Sequence, residues 1–191
     1  MGVIAFLGSP RKDGNTSILL REALRGVEEA GQPVRLFKLA QMKIRGCLNC
    51  GGCEETGECV IVDDEMPKIY AAIREAERII LASPIFFSGV TAQAKAMIDR
   101  CQALWCEKYL LKREIPAGPA GRKGLFLTVG GMKMAKHAEC ANSTATAFFR
   151  SISVPQHAFH PWRGVDAKGA IRQHPTALQE AYEAGKALVG T

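Results

Sequence analysis

The chain has 191 residues, 47% of them hydrophobic and 23% charged, with a net charge of +6. That length is ordinary for one domain, and no apolar run approaches the ~20 residues that cross a bilayer. The positive charge is scattered rather than striped, which argues against nucleic acid and suits attraction for small phosphorylated molecules.

Val3–Leu7 is a short apolar run ending at Gly8, the pattern of a strand buried on both faces. No basic stretch precedes it, so the start reads as a strand rather than a secretory signal, and the expected compartment is the cytoplasm. From Asn15 a helix is expected, striped by Leu19, Leu20, Ala23, Leu24, Val27 and Ala30, with Gly31 ending it and Pro33 confirming the stop. Residues 34–39 form a second strand, and strand–helix–strand over this length predicts a parallel pair. A loop over 41–63 is too long to be only a connector. Asp63 or Asp64 then caps a helix striped by Met66, Ile69, Tyr70, Ile73 and Ala76, with Pro67 in its first turn. Residues 78–83 are a third strand and 83–89 a turn-rich loop. The next helix carries Val90, Ala94, Met97, Ile98, Cys101, Leu104 and Trp105 on one face. The segment at about 107–122, with two prolines and several basic side chains, reads as an insertion. A fourth strand over 123–129, a helix over roughly 137–151, a fifth strand near 154–159 and a last helix from Pro175 complete the chain. Alternation of five strands with helices predicts a single α/β domain over 1–191. Its expected core is a doubly wound, five-stranded parallel sheet of order 2-1-3-4-5, with the cysteine-rich loop after strand 2.

In such a sheet ligands sit beyond the carboxyl ends of the strands, between strands 1 and 3. The sequence there is Gly8-Ser9-Pro10-Arg11-Lys12-Asp13-Gly14-Asn15-Thr16-Ser17, leading into a helix N-terminus. Free N–H groups and the helix dipole make an anion site. Ser9, Thr16 and Ser17 carry hydroxyl donors and Arg11 can pair with phosphate. Neither the Gly-x-Gly-x-x-Gly fingerprint nor the Gly-Lys-Ser/Thr of a P-loop is present. A polar turn with Asn15 as an ordinary cap is the competing reading.

Gly-Ser-Pro-Arg-x-x-Gly-Asn-Thr-Ser after a first strand resembles the NADPH-dependent FMN reductase family of flavodoxin-like proteins. Ser83-Pro84-Ile85-Phe86-Phe87 followed by Gln93-Ala94-Lys95-Ala96-Met97-Ile98-Asp99-Arg100 is similar to its second motif, with Phe86 where the family usually has tyrosine. The resemblance implies that Ser9, Arg11, Asn15, Thr16 and Ser17 hold the FMN phosphate. It implies that Pro84, Ile85, Phe86 and Phe87, with Ser88, line the flavin ring largely through backbone, and that Thr128, Gly130 and Gly131 supply a third loop. It also implies a homodimer or homotetramer. A flavin needs a flat, mostly apolar slot with a few polar donors at its edge. Adjacent residues on an extended segment face opposite ways, so one of Phe86 and Phe87 is expected in the core.

Four of the seven cysteines, Cys47, Cys50, Cys53 and Cys59, lie within thirteen residues. An odd count and no signal peptide argue against a disulfide framework. Cys-x2-Cys-x2-Cys lets one loop wrap a [4Fe–4S] cubane, and the spacing resembles the iron–sulfur flavoprotein branch of the same superfamily. Cysteines without a cluster, and zinc, remain the alternatives, although zinc usually joins two separated pairs. Cys101 and Cys106 read as packing residues on a helix face, and His137, His157 and His160 as surface or packing histidines.

The reading is an FMN-dependent oxidoreductase that passes electrons between FMN and a [4Fe–4S] cluster, with a small-molecule or protein donor and acceptor and no nucleic-acid or membrane partner. The first alternative is a cluster-free NAD(P)H-dependent reductase of FMN or quinones. The second is an electron-carrier module without turnover of its own.

Overall fold

A computed structural model describes residues 2–113, 115–116 and 121–190. The apolar run at the start is strand β1 (Val3–Leu7), buried along its whole length. It pairs in parallel with β2 (Val34–Lys38) on one side and β3 (Arg78–Pro84) on the other. Strands β4 (Lys123–Gly130) and β5 (His157–Arg163) extend the sheet, again in parallel, to the order β2-β1-β3-β4-β5. The expected topology is therefore the observed one, and it puts the ends of β1 and β3 side by side.

Alternation along the central strands sends side chains to two cores. Val3, Ala5 and Leu7 of β1, with Ile80, Leu125 and Leu127, pack against α1 (Asn15–Glu29). The carboxyl-terminal helix (Ala177–Val189) closes the same core. The backbones of these two helices touch. A Cβ on Gly185 would stand 1.9 Å from the Ala23 carbonyl oxygen, so only glycine allows this approach. Ile4 and Phe6 face the other way, into a core shared with the helices between β2 and β5. In chain order these helices are α2 (Cys53–Thr56), which buries no side chain, and α3 (Met66–Glu75), α4 (Ala92–Arg100), α5 (Gln102–Tyr109) and α6 (Ala135–Ser151), which do, with the carboxyl-terminal helix as α7. Phe6 stacks on Phe37 and meets Phe148 edge-on there. Each fully buried phenylalanine or leucine stabilises the fold by roughly 1.5–3 kcal/mol.

Some boundaries differ from expectation. The single helix expected to run through Trp105 breaks at Cys101, which ends α4 and begins α5. The break turns Trp105 off the apolar face, leaving it 38% exposed and packed on Tyr109. β5 starts at His157 rather than near 154, because Ser153 adopts a left-handed backbone (φ 62°) and Val154 plugs the core beneath α6. The cap expected from Asp63 or Asp64 falls to Glu65, although Asp64 Oδ1 still accepts the Met66 N–H at 3.0 Å. Glu107, Lys108 and Tyr109, the start of the expected insertion, belong to α5, and its residues 114 and 117–120 lie outside the described residues. Among the described residues no helix is long and apolar enough to cross a membrane.

Candidate functional site

The loops after β1, β3 and β4 meet at one end of the sheet. Gly8 N–H donates to the Ala82 carbonyl at 2.8 Å, and Thr91 Oγ1 donates to the Gly8 carbonyl at 2.7 Å. Thr91 also caps α4, accepting the Ala94 N–H. One buried hydroxyl thus fixes the first loop to the start of α4, a role the sequence reading missed. In the first loop, Ser9 and Thr16 are buried while Arg11 is exposed. Ser9 Oγ accepts the Arg11 N–H, and Ser17 Oγ donates to the Arg11 carbonyl, each at 3.4 Å. The cap of α1 is Gly14, which has no side chain to occupy the free N–H groups of the first turn. The loop therefore keeps the donors an anion needs. Asn15 is turned elsewhere: its amide donates to the Ala167 carbonyl at 3.0 Å and accepts the Ile171 N–H at 3.3 Å. Its side chain ties the 167–171 segment to the helix start.

The loop after β3 is tighter than an extended segment. Ile85 N–H continues the sheet to the Val129 carbonyl, and Phe86 and Gly89 exchange both backbone hydrogen bonds at 2.9 Å. Phe87 (φ 48°) and Ser88 (φ 64°) form the two-residue tip, both left-handed as a type I′ turn requires. This overturns the expectation that one phenylalanine is core. The turn throws Phe87 fully into solvent and leaves Phe86 43% exposed. Ser88 Oγ lies 2.5 Å from Nδ1 of His137, in the first turn of α6, joining this tip to the loop after β4. Just before that last loop, within β4, Thr128 is wholly buried and donates to the Ser83 carbonyl at 2.8 Å, tying β4 to β3. Gly130 lets Ile85 approach, since an added Cβ would lie 3.0 Å from the Ile85 Cβ. Met132 and Met134 are exposed nearby in sequence. Beside the first loop, a groove of about 380 Å³ between α1 and β2 carries Arg11, Lys12, Arg21 and Lys38 over an apolar floor of Leu20 and Leu36.

The cysteine loop is built differently. Lys43 and Glu65 exchange hydrogen bonds across its neck, Glu65 N–H to the Lys43 carbonyl and Lys43 N–H to Glu65 Oε2. Arg45 N–H donates to Asp64 Oδ2, and the Arg45 guanidinium pairs with Asp63. The centre of the neck is Arg100, the last residue of α4, whose side chain is wholly buried. Its Nη1 donates to Asp64 Oδ2 at 2.7 Å and to the Arg45 carbonyl at 3.1 Å, while Nη2 donates to the Ile61 carbonyl at 2.7 Å. Burial pushes the Asp64 carboxyl up, but Arg100 and the Arg45 and Met66 N–H groups outweigh it and hold it below the ordinary carboxylate value. Tyr70 Oη donates to the Arg100 carbonyl at 2.7 Å and so closes the end of α4. The sequence carried a signal for Arg100. It follows Ala94 and Met97 at a spacing of three, and a charge on an apolar stripe demands a buried partner.

Cys47, Cys50, Cys53 and Cys59 all line one small cavity, together with Arg100, Gln102 and Ala103. The cavity is small, about 30 Å³. Cys47 and Cys50 are exposed, and Cys53 and Cys59 are half-buried. As they stand, no three metal-ligating side chains among the described residues converge on one position. Cys53 Sγ lies 3.6 Å from Sγ of Cys106 on α5, and burial, then Cys106, push its thiol up to about 12. The donor chemistry, four thiols with a buried guanidinium beside them, fits an iron–sulfur group. Cys101 and Cys106 are buried packing residues, as expected. His157 stacks on Phe149 and bonds Asn142, and His160 stacks on Trp162, so both are packing histidines.

The family described as NADPH-dependent FMN reductase matches residues 1–161. An iron–sulfur flavoprotein of Methanocaldococcus jannaschii is 43% identical over 54% of this chain and 53% of its own length. An iron–sulfur flavoprotein of Archaeoglobus fulgidus is 36% identical over 68% of this chain and 62% of its own. The chain thus matches between about half and two thirds of the length of these relatives. Among solved structures, an NAD(P)H:quinone oxidoreductase from Methanothermobacter marburgensis superposes with a TM-score of 0.74 at 20% identity, over 100% of this chain and 97% of that one, a likeness of fold. On the match over residues 1–161 and these relatives, the chain belongs to the NADPH-dependent FMN reductase family, in its iron–sulfur flavoprotein branch.

Proposed function

We propose that residues 1–191 act as one FMN-dependent oxidoreductase domain that passes electrons between FMN and a [4Fe–4S] cluster held by Cys47, Cys50, Cys53 and Cys59. The observation that carries this reading is the role of α4. Thr91 at its start is bonded to the first loop, and Arg100 at its end is bonded to the cysteine loop. Arg100 follows Ala92 by eight residues, about 12 Å along the helix axis. One rigid element therefore joins the two ends of the proposed electron path.

Bound flavin supplies hydride and single-electron chemistry. The chain supplies position. Ser9, Arg11, Thr16 and Ser17, with the free N–H groups of α1, hold the phosphate, and Asn15 braces the loop from behind. Pro84, Ile85, Phe86, Phe87 and Ser88 form one wall of the ring site, and Gly130 and Gly131 form the edge that Thr128 fixes to β3. NAD(P)H is the favoured donor, because Arg11, Lys12 and Lys38, with Arg21 paired to Asp13 beside them, line a groove suited to a second phosphate. The acceptor is a small molecule or a protein. Exposed Phe87, Met132, Met134 and Leu48 favour assembly as a homodimer or homotetramer.

The test is anaerobic purification and reconstitution, followed by a visible spectrum with iron and sulfide analysis. Flavin bands with a broad shoulder and about four irons per chain support the reading. Flavin without iron after reconstitution overturns the cluster and leaves a second reading, an NAD(P)H-dependent reductase without a cluster. The Cys53–Cys106 contact favours that second reading, since it is a thiol pair that needs no metal.

A further inference from the structure

Arg100 is more than a staple for the loop neck. Its Nη groups make three hydrogen bonds, to Asp64, Arg45 and Ile61. Its Nε–H is buried without a partner. A buried donor without an acceptor is destabilising unless a ligand completes it. Arg100 lines the same cavity as the four cysteines, and Cys59 is among the groups that act on its guanidinium. The other charges here are peripheral: Glu54 and Arg45 are exposed, and Arg45 is already paired with Asp63. A cluster bound by thiolates is anionic, and it becomes more negative by one charge when it accepts one electron, with no bond made or broken. A fixed cation in a dry wall favours the more negative form.

We propose that Arg100 is the potential-setting residue of the cysteine site: its Nε–H donates toward the sulfur of the Cys59 side, its charge stabilises the reduced form, and Asp64 moderates that charge. The inference rests on the cluster reading above. It predicts shifts of opposite sign for the two members of one ion pair, which a merely structural staple would not produce.

The experiment uses the full chain, loaded anaerobically with FMN, iron and sulfide, as native protein and as Asp64→Asn, Arg100→Lys and Arg100→Gln. Iron and flavin are counted, and the cluster midpoint is followed by EPR during a redox titration. Asp64→Asn keeps an acceptor for Arg100 but removes the opposing charge. Its one-electron equilibrium is expected to move tenfold or more toward the reduced form, about 59 mV upward. Arg100→Gln is expected to move it by a similar factor downward, and Arg100→Lys to fall between, since lysine keeps the charge without the fork. If Arg100→Gln does not hold iron, Asp64→Asn decides alone. A loaded Asp64→Asn chain with an unmoved or lowered midpoint overturns the role of Arg100 and leaves the cluster intact. Iron lost from both Asp64→Asn and Arg100→Lys, with flavin retained, reduces Arg100 to a staple and also overturns the proposal. A native chain that takes up no iron overturns the cluster reading itself.

Discussion

The two ends of α4 are held by opposite means. At its start, backbone groups do most of the work. Gly8 bonds Ala82, Ile85 bonds Val129, Phe86 bonds Gly89, and the side chains that join them, Thr91 and Ser83, are neutral and short. At its end, a long charged side chain gathers two carbonyls and a carboxylate, and the loop it holds has few backbone bonds of its own. Backbone ladders form cooperatively with the sheet and share its stability. A loop whose neck is centred on a buried ion pair loosens when that pair fails, and open loops lie at the low-stability end of a fold. The flavin end is therefore expected to persist under conditions that release the cysteine end.

The largest effect that would break this contrast comes from Arg100→Ala. It leaves Asp64 buried and unpaired, a loss of about 3–5 kcal/mol in comparable cases. Hydrogen exchange should show residues 43–64 opening while the strand amides of β1, β3 and β4 stay protected. Global unfolding with no intermediate opening would mean that the loop and the sheet form one cooperative unit.

Arg11→Ala probes the other end. Removing a charge-assisted hydrogen bond of about 1.5–3 kcal/mol should weaken FMN binding by roughly tenfold to a hundredfold with little change in stability, because Arg11 is exposed. Fluorescence titration of the apoprotein measures this. Unchanged affinity would remove Arg11 from the phosphate site.

The same asymmetry governs how much of the molecule was legible in the sequence. The order 2-1-3-4-5 followed from periodicity, because each strand and helix announces its own burial, as Val3–Leu7 and the stripe Leu19, Leu20, Ala23 and Val27 do. The residues proposed to meet ligand stood out in the sequence by residue type alone, as with Arg11 and the four cysteines. What could not be read were partnerships between distant residues. Asn15 reaching Ala167, Thr91 reaching Gly8, Ser88 reaching His137 and Arg100 reaching Asp64 span from 36 to 152 positions. Nor could the break at Cys101 or the reversal at Phe87 be read, since both depend on packing that no local pattern encodes.

A smaller effect follows from pH. The Asp64 carboxyl is held below its ordinary value in the folded chain, so its contribution is fully present above the unfolded value, near 4, and is lost as pH falls through the folded one. The cysteine loop should thus loosen on acidification below about pH 4. Asp64→Asn should flatten that dependence. Acid sensitivity that persists in Asp64→Asn would assign it to other carboxylates.

The smallest predicted change concerns Phe87. Its left-handed backbone and fully exposed ring are each unfavourable in the free chain, and together they run against what a turn at this position needs for stability alone. Asparagine tolerates the left-handed region better and keeps the type I′ turn. Phe87→Asn should therefore raise the stability of the FMN-free protein by about 0.5–1 kcal/mol, in keeping with a relieved backbone strain of order 1 kcal/mol. The same substitution should weaken FMN binding, because the ring is then missing from the flavin wall. Two measurements on one variant settle the matter: thermal unfolding without flavin, and flavin affinity. A gain in the first with a loss in the second identifies the strain as belonging to the site. A gain in stability with unchanged affinity would move Phe87 from the flavin wall to a surface that meets another chain.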